Sequence, residues 1–478
     1  MKMADVDLNK ITPMMRQYID IKNAHQDIII MFRLGDFYEV FFEDAITVSR
    51  ELELTLTGRA AGLEERVPMC GVPHHAVSVY IEKLVDKGYK VGICEQLEDP
   101  ATAKGLVDRG LTQIISKGTM TIGESLSEND FNYIGSVLDC KNSYALTYTD
   151  ITTGIIYVEL LPHNASTLVS EIVSLNIKEL VTESTLDKSI ISILQKQFKI
   201  VMSTNDTIQD IKEYEYVYED LTDERLVKVI KHLLSYIADT QMRSLVHMQK
   251  AIVKENKNVL KMDIHTKRNL ELIETLRLKQ RQYSLIWVLD KTRTAMGARL
   301  LKTYVENPLI NKDEINKRYD YVETLLKEFI LREDLRNLLY DVYDLERLSG
   351  RIAFGSANAR DLLQLKQSLS VLPDINIILN SIKYSELVDL SDIYNLLESS
   401  IYENPPVGVK EGYLIKDGYN KELDELKSLR KGGKDFVARF EQEEKERTGI
   451  KTLKVGYNKV FGYYIEISKG AIKDVKEE

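Results

Sequence analysis

Cysteine is scarce in this chain: three residues, Cys70, Cys94 and Cys140, in 478. Three thiols make no disulfide framework and fit a reducing compartment, so the expectation is a cytoplasmic protein. Long apolar runs are missing too. No stretch approaches the ~18 to 20 apolar residues of a membrane span, and residues 1–9 are polar, without the apolar core of a secretory signal. Positive charge is not in excess: 64 Lys and Arg stand against 74 Asp and Glu. This argues against a protein coated in basic surface, so any contact with a polyanion has to be local. The chain also lacks a phosphate-binding loop of the form Gly-x-x-x-x-Gly-Lys-Ser/Thr. Lys431-Gly432-Gly433-Lys434 comes nearest, but it lies in a charged helical stretch with no buried strand before it. No cofactor and no enzyme activity are therefore expected of this chain.

What is present is organised around residues 28–42. Residues 28–32 are continuous, apolar and largely β-branched, the pattern of a buried strand. Gly35-Asp36 then breaks the run, so the next residues bend away from it. Phe37 and Glu39 are two apart, which in extended backbone puts both side chains on one face. An apolar wedge and a hydrogen-bonding group thus point the same way. On a DNA duplex such a wedge can enter between base steps from the minor groove, at a cost of a few kcal/mol in unstacking. A poorly stacked base costs less to displace, so deformability is what would be read. A carboxylate beside phosphates favours its protonated form and then donates as well as accepts. An ordinary strand after a turn accounts for the same residues.

Residues 1–120 read as an α/β domain, with helices at 13–24, 43–52 and 77–87, the last closed by Gly88, and strands at 55–57 and 90–94. Arg59 falls in the loop after the 55–57 strand. Cys70, His74, His75 and Cys94 are chemically fit for zinc, but adjacent histidines do not easily reach one metal and no Cys-x-x-Cys accompanies them. Core and turn roles are expected instead, with no metal. Residues 125–132 turn polar, a boundary. A hairpin follows, its strands near 144–148 and 155–159 flanking Asp150, and then a helix at 226–240. From 258 the apolar spacing predicts long packed helices at 269–282, 296–305, 312–328, 332–348 and 358–372. A charged helix at 421–447 leads to two strands joined through Asn458 and Lys459. Ten Lys and Arg face six Asp and Glu between 430 and 470, so this hairpin is locally positive in an acidic chain. That suits contact with a duplex backbone, and equally an exposed hairpin with surface lysines.

Gly35-Asp36-Phe37-Tyr38-Glu39, preceded by Thr12-Pro13-Met14-Met15 and Gln17-Tyr18, resembles the bacterial MutS family of DNA mismatch repair proteins. Ordered blocks continue the resemblance: Pro68-Met69-Cys70-Gly71-Val72-Pro73-His74-His75-Ala76, Thr266-Lys267-Arg268-Asn269-Leu270-Glu271, Leu289-Asp290-Lys291-Thr292, Asp344-Leu345-Glu346-Arg347, and Lys454-Val455-Gly456-Tyr457-Asn458 with Gly462-Tyr463-Tyr464-Ile465. Lys117-Gly118-Thr119, where the family usually has Pro-Gly-Thr, and Tyr304, where a Trp is common, depart from it.

The resemblance implies a multidomain α/β plus α chain. It comprises a mixed α/β mismatch-binding domain (1–120), an RNase-H-like α/β connector (127–245), a long-helix core or lever domain (258–425) and a partial β-rich clamp (426–478). It assigns stacking on the mispaired base to Phe37 and hydrogen bonding to Glu39. Arg59, Lys454, Asn458 and Lys459 are the candidates for backbone contact. The implied partners are double-stranded DNA with mismatches or small loops, a second copy of the chain in the full-length homodimer, and downstream repair proteins, in a cytoplasmic, nucleoid-associated setting with no membrane. ATP and Mg belong to the full-length protein, in a part expected to follow the clamp, so this sequence looks like an N-terminal portion. An RNase-H-like fold raises a nuclease reading for Asp150, but a lone acid at a turn makes no two-metal site. The alternative is a relative that binds branched DNA without repairing it. Several such relatives lack the first domain or its Phe-x-Glu pair, and both are present here.

Overall fold

The computed structural model describes residues 3, 6–7, 10–98, 107–121, 129–254, 258–458 and 462–470. The chain divides into two compact units, Met1–Ala357 with Gln367–Asp389, and Asn358–Lys366 with Leu390–Glu478.

The first unit opens with α1 (Pro13–Ala24), β1 (Ile28–Leu34), β2 (Phe37–Phe41), α2 (Phe42–Leu52), β3 (Thr57–Arg59), β4 (Val67–Pro73), α3 (Val77–Asp86), β5 (Lys90–Gln96) and β6 (Arg109–Ile115). The strands form one sheet in the order β3-β4-β2-β1-β5-β6, in which only β1 and β5 run parallel. Because β1 is apolar at every position from 28 to 32, it can be covered on both sides. Ile29 and Met31 join Tyr38, Val40, Cys70 and Val72 under α2 and α3. Ile28, Ile30 and Phe32 join Phe41, Val67 and Cys94 under Met15, Tyr18 and Ile19 of α1. Helix α3 ends before Gly88, whose φ of +90° suits a residue without Cβ. The strand expected at 55–57 instead begins at Thr57, so Arg59 stands on β3 and not in a loop.

A second sheet follows, built from β7 (Tyr133–Asp139), β8 (Ser143–Asp150), β9 (Ile155–Pro162), β10 (Glu179–Thr182), β11 (Val201–Thr204) and β12 (Ile252–Val253), in the order β11-β10-β7-β8-β9-β12. Helices α4 (Ala165–Ser174) and α5 (Lys188–Phe198) cover one face through Leu168, Ile172, Ile190 and Leu194. On the other face, after the short α6 (Glu215–Tyr218), α7 (Glu224–Gln241) packs Val229, Ile230, Leu233 and Ile237 against Ile134, Leu138 and Val158. Asp150 is consumed by its turn: its carboxylate accepts from Asn132 N at 2.9 Å, Thr152 N at 2.8 Å and Thr152 Oγ at 2.6 Å. Glu179, fully buried, joins the two sheets. It accepts from Gly118 N (3.0 Å), Ser203 Oγ (2.6 Å), Tyr236 OH (2.7 Å) and the Ser116 hydroxyl.

The helical part comprises α8 (Ile264–Asn269), α9 (Leu285–Leu289), α10 (Ala295–Glu306), α11 (Lys312–Lys327), α12 (Phe329–Tyr340), α13 (Leu345–Ala353), α14 (Ala359–Ser370) and α15 (Leu372–Ser381). Two expected helices differ. The 269–282 helix does not form, because Glu271 and Lys279 both take φ near +49° and the Glu271 carboxylate accepts from Leu276 N at 2.7 Å, a local cap that outcompetes the helix. The 332–348 helix is two, α12 and α13. Asp344 caps α13 and simultaneously holds Arg299 of α10 through bonds of 2.6 and 2.8 Å, with Glu346 adding a third at 2.5 Å. Arg299 is only 1% exposed, so this ion cluster, rather than apolar periodicity, sets where the chain breaks.

In the second unit, α16 (Ser391–Ser400) precedes α17 (Lys421–Thr448), which runs unbroken through positions 432 and 433. It starts on Asn420, which accepts from Leu423 N, and stops at Gly449 with φ +73°. The antiparallel pair β13 (Lys454–Asn458) and β14 (Gly462–Glu466) follows. Among the described residues no helix is long and apolar enough to cross a membrane.

Two stability predictions follow from this packing. A Cβ on Gly350 of α13 would lie 2.1 Å from the Thr152 carbonyl oxygen, a backbone atom that cannot swing aside. Gly350→Ala should therefore destabilise by at least about 1–3 kcal/mol in urea unfolding, although alanine is the better helix former. His232 is buried and neutral: Nε2 donates to Asn205 O and Nδ1 accepts from Ser136 Oγ, both at 2.7 Å. Burial holds His232 below its ordinary value of 6.5, and burial does the same to His247. An unfolded chain then takes up protons that the folded one refuses, so stability is full above about pH 6.5 and declines as pH falls through that value. Melting temperatures at pH 7.5 and 5.5 should show the decline, and His232→Asn should reduce it.

Candidate nucleic-acid interface

The β1–β2 connection has two residues, since Leu34 pairs directly with Phe37. Gly35 takes φ +58°, the position where a type II′ hairpin turn requires glycine. Arg33 Nε donates to Gly35 O at 2.6 Å, and His74 N donates to Asp36 O at 2.9 Å, so both sides of the turn are tied down. Phe37 emerges 47% exposed, an unusual state for a phenylalanine at the start of an otherwise covered strand. Its neighbour Tyr38 points to the opposite face and is buried, its hydroxyl bonded to Glu95; burial, with Glu95 beside it, pushes that hydroxyl well above its usual range.

Glu39 returns to the face of Phe37. It pairs with Gly71 on β4, where a Cβ would lie 3.2 Å from the Tyr38 carbonyl oxygen and 3.4 Å from Glu39 Cγ. There it forms an ion pair with Arg59 of β3. Phe37, Glu39 and Arg59 are thus brought together, from residues 20 apart in sequence. Arg109 completes the surroundings. Its Nε donates to Arg33 O at 2.9 Å, and its guanidinium stands 5.5 Å from the Phe32 ring. Burial holds it below its ordinary value, and the charge of Arg59 adds to that. Sequence reading did not find Arg109, because only the pairing of β5 with β6, with Gln96 opposite Arg109, brings it beside Arg33 at the end of β1.

The other candidates lie in the second unit. Lys454 is exposed at the start of β13, and Val455 N beside it donates to Glu441 of α17 at 3.0 Å, fixing the hairpin to the helix. Asn458 is the last residue of β13, and Lys459 lies outside the described residues. The hairpin surface carries Tyr457 and Tyr463, both exposed, their ring centroids 5.0 Å apart. The two rings are tilted at 59° to each other, an aromatic pair exposed on the strand surface. Of the zinc candidates, Cys70 and Cys94 are buried in opposite faces of the first sheet, and burial pushes their thiols up to about 11 and about 12. Among the described residues no group of three His, Cys, Asp or Glu side chains is placed to hold a metal ion.

Residues 12–124 match the family model for MutS domain I, residues 132–249 that for MutS domain II, and residues 265–453 that for MutS domain III. The chain is 48% identical over 473 residues to the DNA mismatch repair protein MutS of Bacillus subtilis, covering 98% of this chain and 55% of that protein. It is 48% identical over 473 residues to its namesake in Bacillus licheniformis (98% and 54%) and 48% over 468 residues to that of Oceanobacillus iheyensis (96% and 54%). The chain spans about half the length of the curated relatives it matches. Matched in order by three domain models and by relatives close to half identical along nearly its whole length, the chain belongs to the MutS family.

Proposed function

We propose that this chain recognises mispaired or looped duplex DNA in mismatch repair, with Phe37 as the wedge and Glu39 as the hydrogen-bonding partner of the displaced base. The observation that carries the reading is an exposed phenylalanine on a pinned turn, sharing its face with a carboxylate and two arginines. The chain's similarity to DNA mismatch repair proteins of two Bacillus species supports it. Arg59, Lys454, Asn458 and Lys459 are proposed to touch phosphates, which position the duplex without reading its sequence. The proposed division is a mismatch-binding domain at 1–120, an RNase-H-like connector at 127–245, a core or lever domain at 258–425 and a clamp from 426. In a protein of the relatives' full length, this part would work as a homodimer driven by ATP and Mg and would hand on to downstream repair proteins in the cytoplasm. A relative that binds branched DNA without repairing it is not favoured by any feature of the site.

The test uses a protein of the relatives' full length, a G·T duplex and its matched control at one stated salt concentration. Phe37→Ala should lose the preference for G·T while keeping salt-dependent binding to both duplexes. Because the ring is only half covered, the same substitution should cost about 1–2 kcal/mol, whereas Phe32→Ala, fully buried, should cost about 3–5 kcal/mol. If Phe37→Ala discriminates as well as the parent, the reader of the mismatch lies elsewhere.

A further inference from the structure

If Glu39 is to bond a displaced base, it must first leave the partner it already has. Its carboxylate is held by the Arg59 guanidinium. Two other cations near the turn, Arg33 and Arg109, are committed. Arg33 is bonded to Gly35 O and lies 5.3 Å from the Tyr38 ring centroid. Arg109 is bonded to Arg33 O and, at 2.8 Å, to Val107 O. The side chain of Arg59 is 35% exposed, so it can turn outward, whereas that of Glu39 is 15% exposed. Separating the pair leaves two charges to satisfy. A base edge can take the carboxylate, and a phosphate is the natural partner for a guanidinium.

We infer that Arg59 is a specificity-determining cation that Glu39 and a DNA phosphate hold in turn, an inference that rests on the reading of Phe37 and Glu39 given above. On matched duplex Glu39 keeps Arg59, and the pair presents a neutral surface to the backbone. At a mismatch Phe37 opens the step, Glu39 moves to the base, and Arg59 moves to a phosphate. Neither charge is stranded, because the two exchanges occur together. Breaking the pair without offering both new partners leaves a partly buried charge unsatisfied, which is costly. The exchange therefore resists matched DNA and is released only where a base is available.

The prediction concerns salt dependence, which a merely structural arginine would not alter. Each phosphate neutralised on B-DNA adds about 0.9 to the slope of log affinity against log salt. In the full-length protein, binding to a G·T duplex should be steeper by about 0.9 than binding to the matched duplex, about a 3.5-fold greater loss between 50 and 200 mM salt. Arg59→Met should make the two slopes equal, and Arg59→Lys should restore the difference. Glu39→Gln should release Arg59 on either duplex and raise the matched slope to the G·T value, but not in the double variant with Arg59→Met. Thermal melting of each variant identifies any that fails to fold, and Glu39→Gln, which should raise the matched slope, carries the test if Arg59→Met does. Equal slopes in the parent protein, or a difference that survives Arg59→Met, would overturn the exchange. If Phe37→Ala loses discrimination while the parent slopes are equal, the exchange alone is wrong. If Phe37→Ala still discriminates, the wedge reading is wrong and takes the exchange with it.

Discussion

The two-residue turn at Gly35-Asp36 fixes the parity of the first sheet, and the candidate site depends on that parity. Strand β1 is apolar at consecutive positions, so by itself it does not say which face of its partner is covered. Pairing Leu34 with Phe37 puts Glu39 opposite Phe32, on the α1 side, and sends Tyr38 and Val40 to the side of α2 and α3. A slip of one residue would exchange the two sets and bury Phe37 and Glu39 under the helices. Glycine at 35 makes the turn possible, and the bonds from Arg33 and His74 keep it from rocking. Phe37 is exposed because it stands at the hairpin end of its face, while Phe32 and Phe41 on that face are covered.

Much of this was legible in the sequence where the signal is local. The 28–32 run, the Gly35 break, the spacing of Phe37 and Glu39, the Gly88 stop and the strands flanking Asp150 all formed as read, because turn chemistry and alternation act over a few residues. What was not legible depends on distant partners. Arg59 looked like a loop residue, because nothing local shows that β4 will pair with β3 and carry it onto a strand beside Glu39. Arg109 carries no motif at all. The helix expected across 332–348 has good apolar spacing, and it breaks because Asp344 is claimed by Arg299, 45 residues away. Periodicity describes one face of one element and is silent about a charge that must be satisfied from another.

Two buried charges tie the parts of the first unit together in the same way. Glu179 collects four donors from the segment leaving the first sheet, from β11 and from α7. Arg299 collects two carboxylates from α13, and its guanidinium faces the Phe131 ring at 5.6 Å. A buried ion cluster is weak evidence for stability, because desolvation offsets most of the attraction. Its contribution is directional. Apolar contacts tolerate sliding by an ångström or two, but a carboxylate with four donors does not. Such joints can hold the first sheet, and the turn that joins its two central strands, at a set orientation on the second.

Magnitudes explain why an aromatic wedge can discriminate without reading a base. An aromatic side chain buries about 150–250 Å² in full, and Phe37 is already about half covered in the free protein. Burying the remaining ~100 Å² at about 25 cal/mol per Å² is worth about 2–3 kcal/mol. Unstacking a base step costs a few kcal/mol. On matched DNA the two nearly cancel, so insertion brings little net gain. At a mismatch, where part of the stacking is already lost, the same side chain acting as the proposed wedge would yield a surplus. In that proposal the stability of the DNA step, and not the chemistry of the ring, is the quantity that would be read. An ion pair beside the ring that gives up its cation only when a base is displaced would sharpen that threshold, because it adds a second condition that matched DNA does not meet.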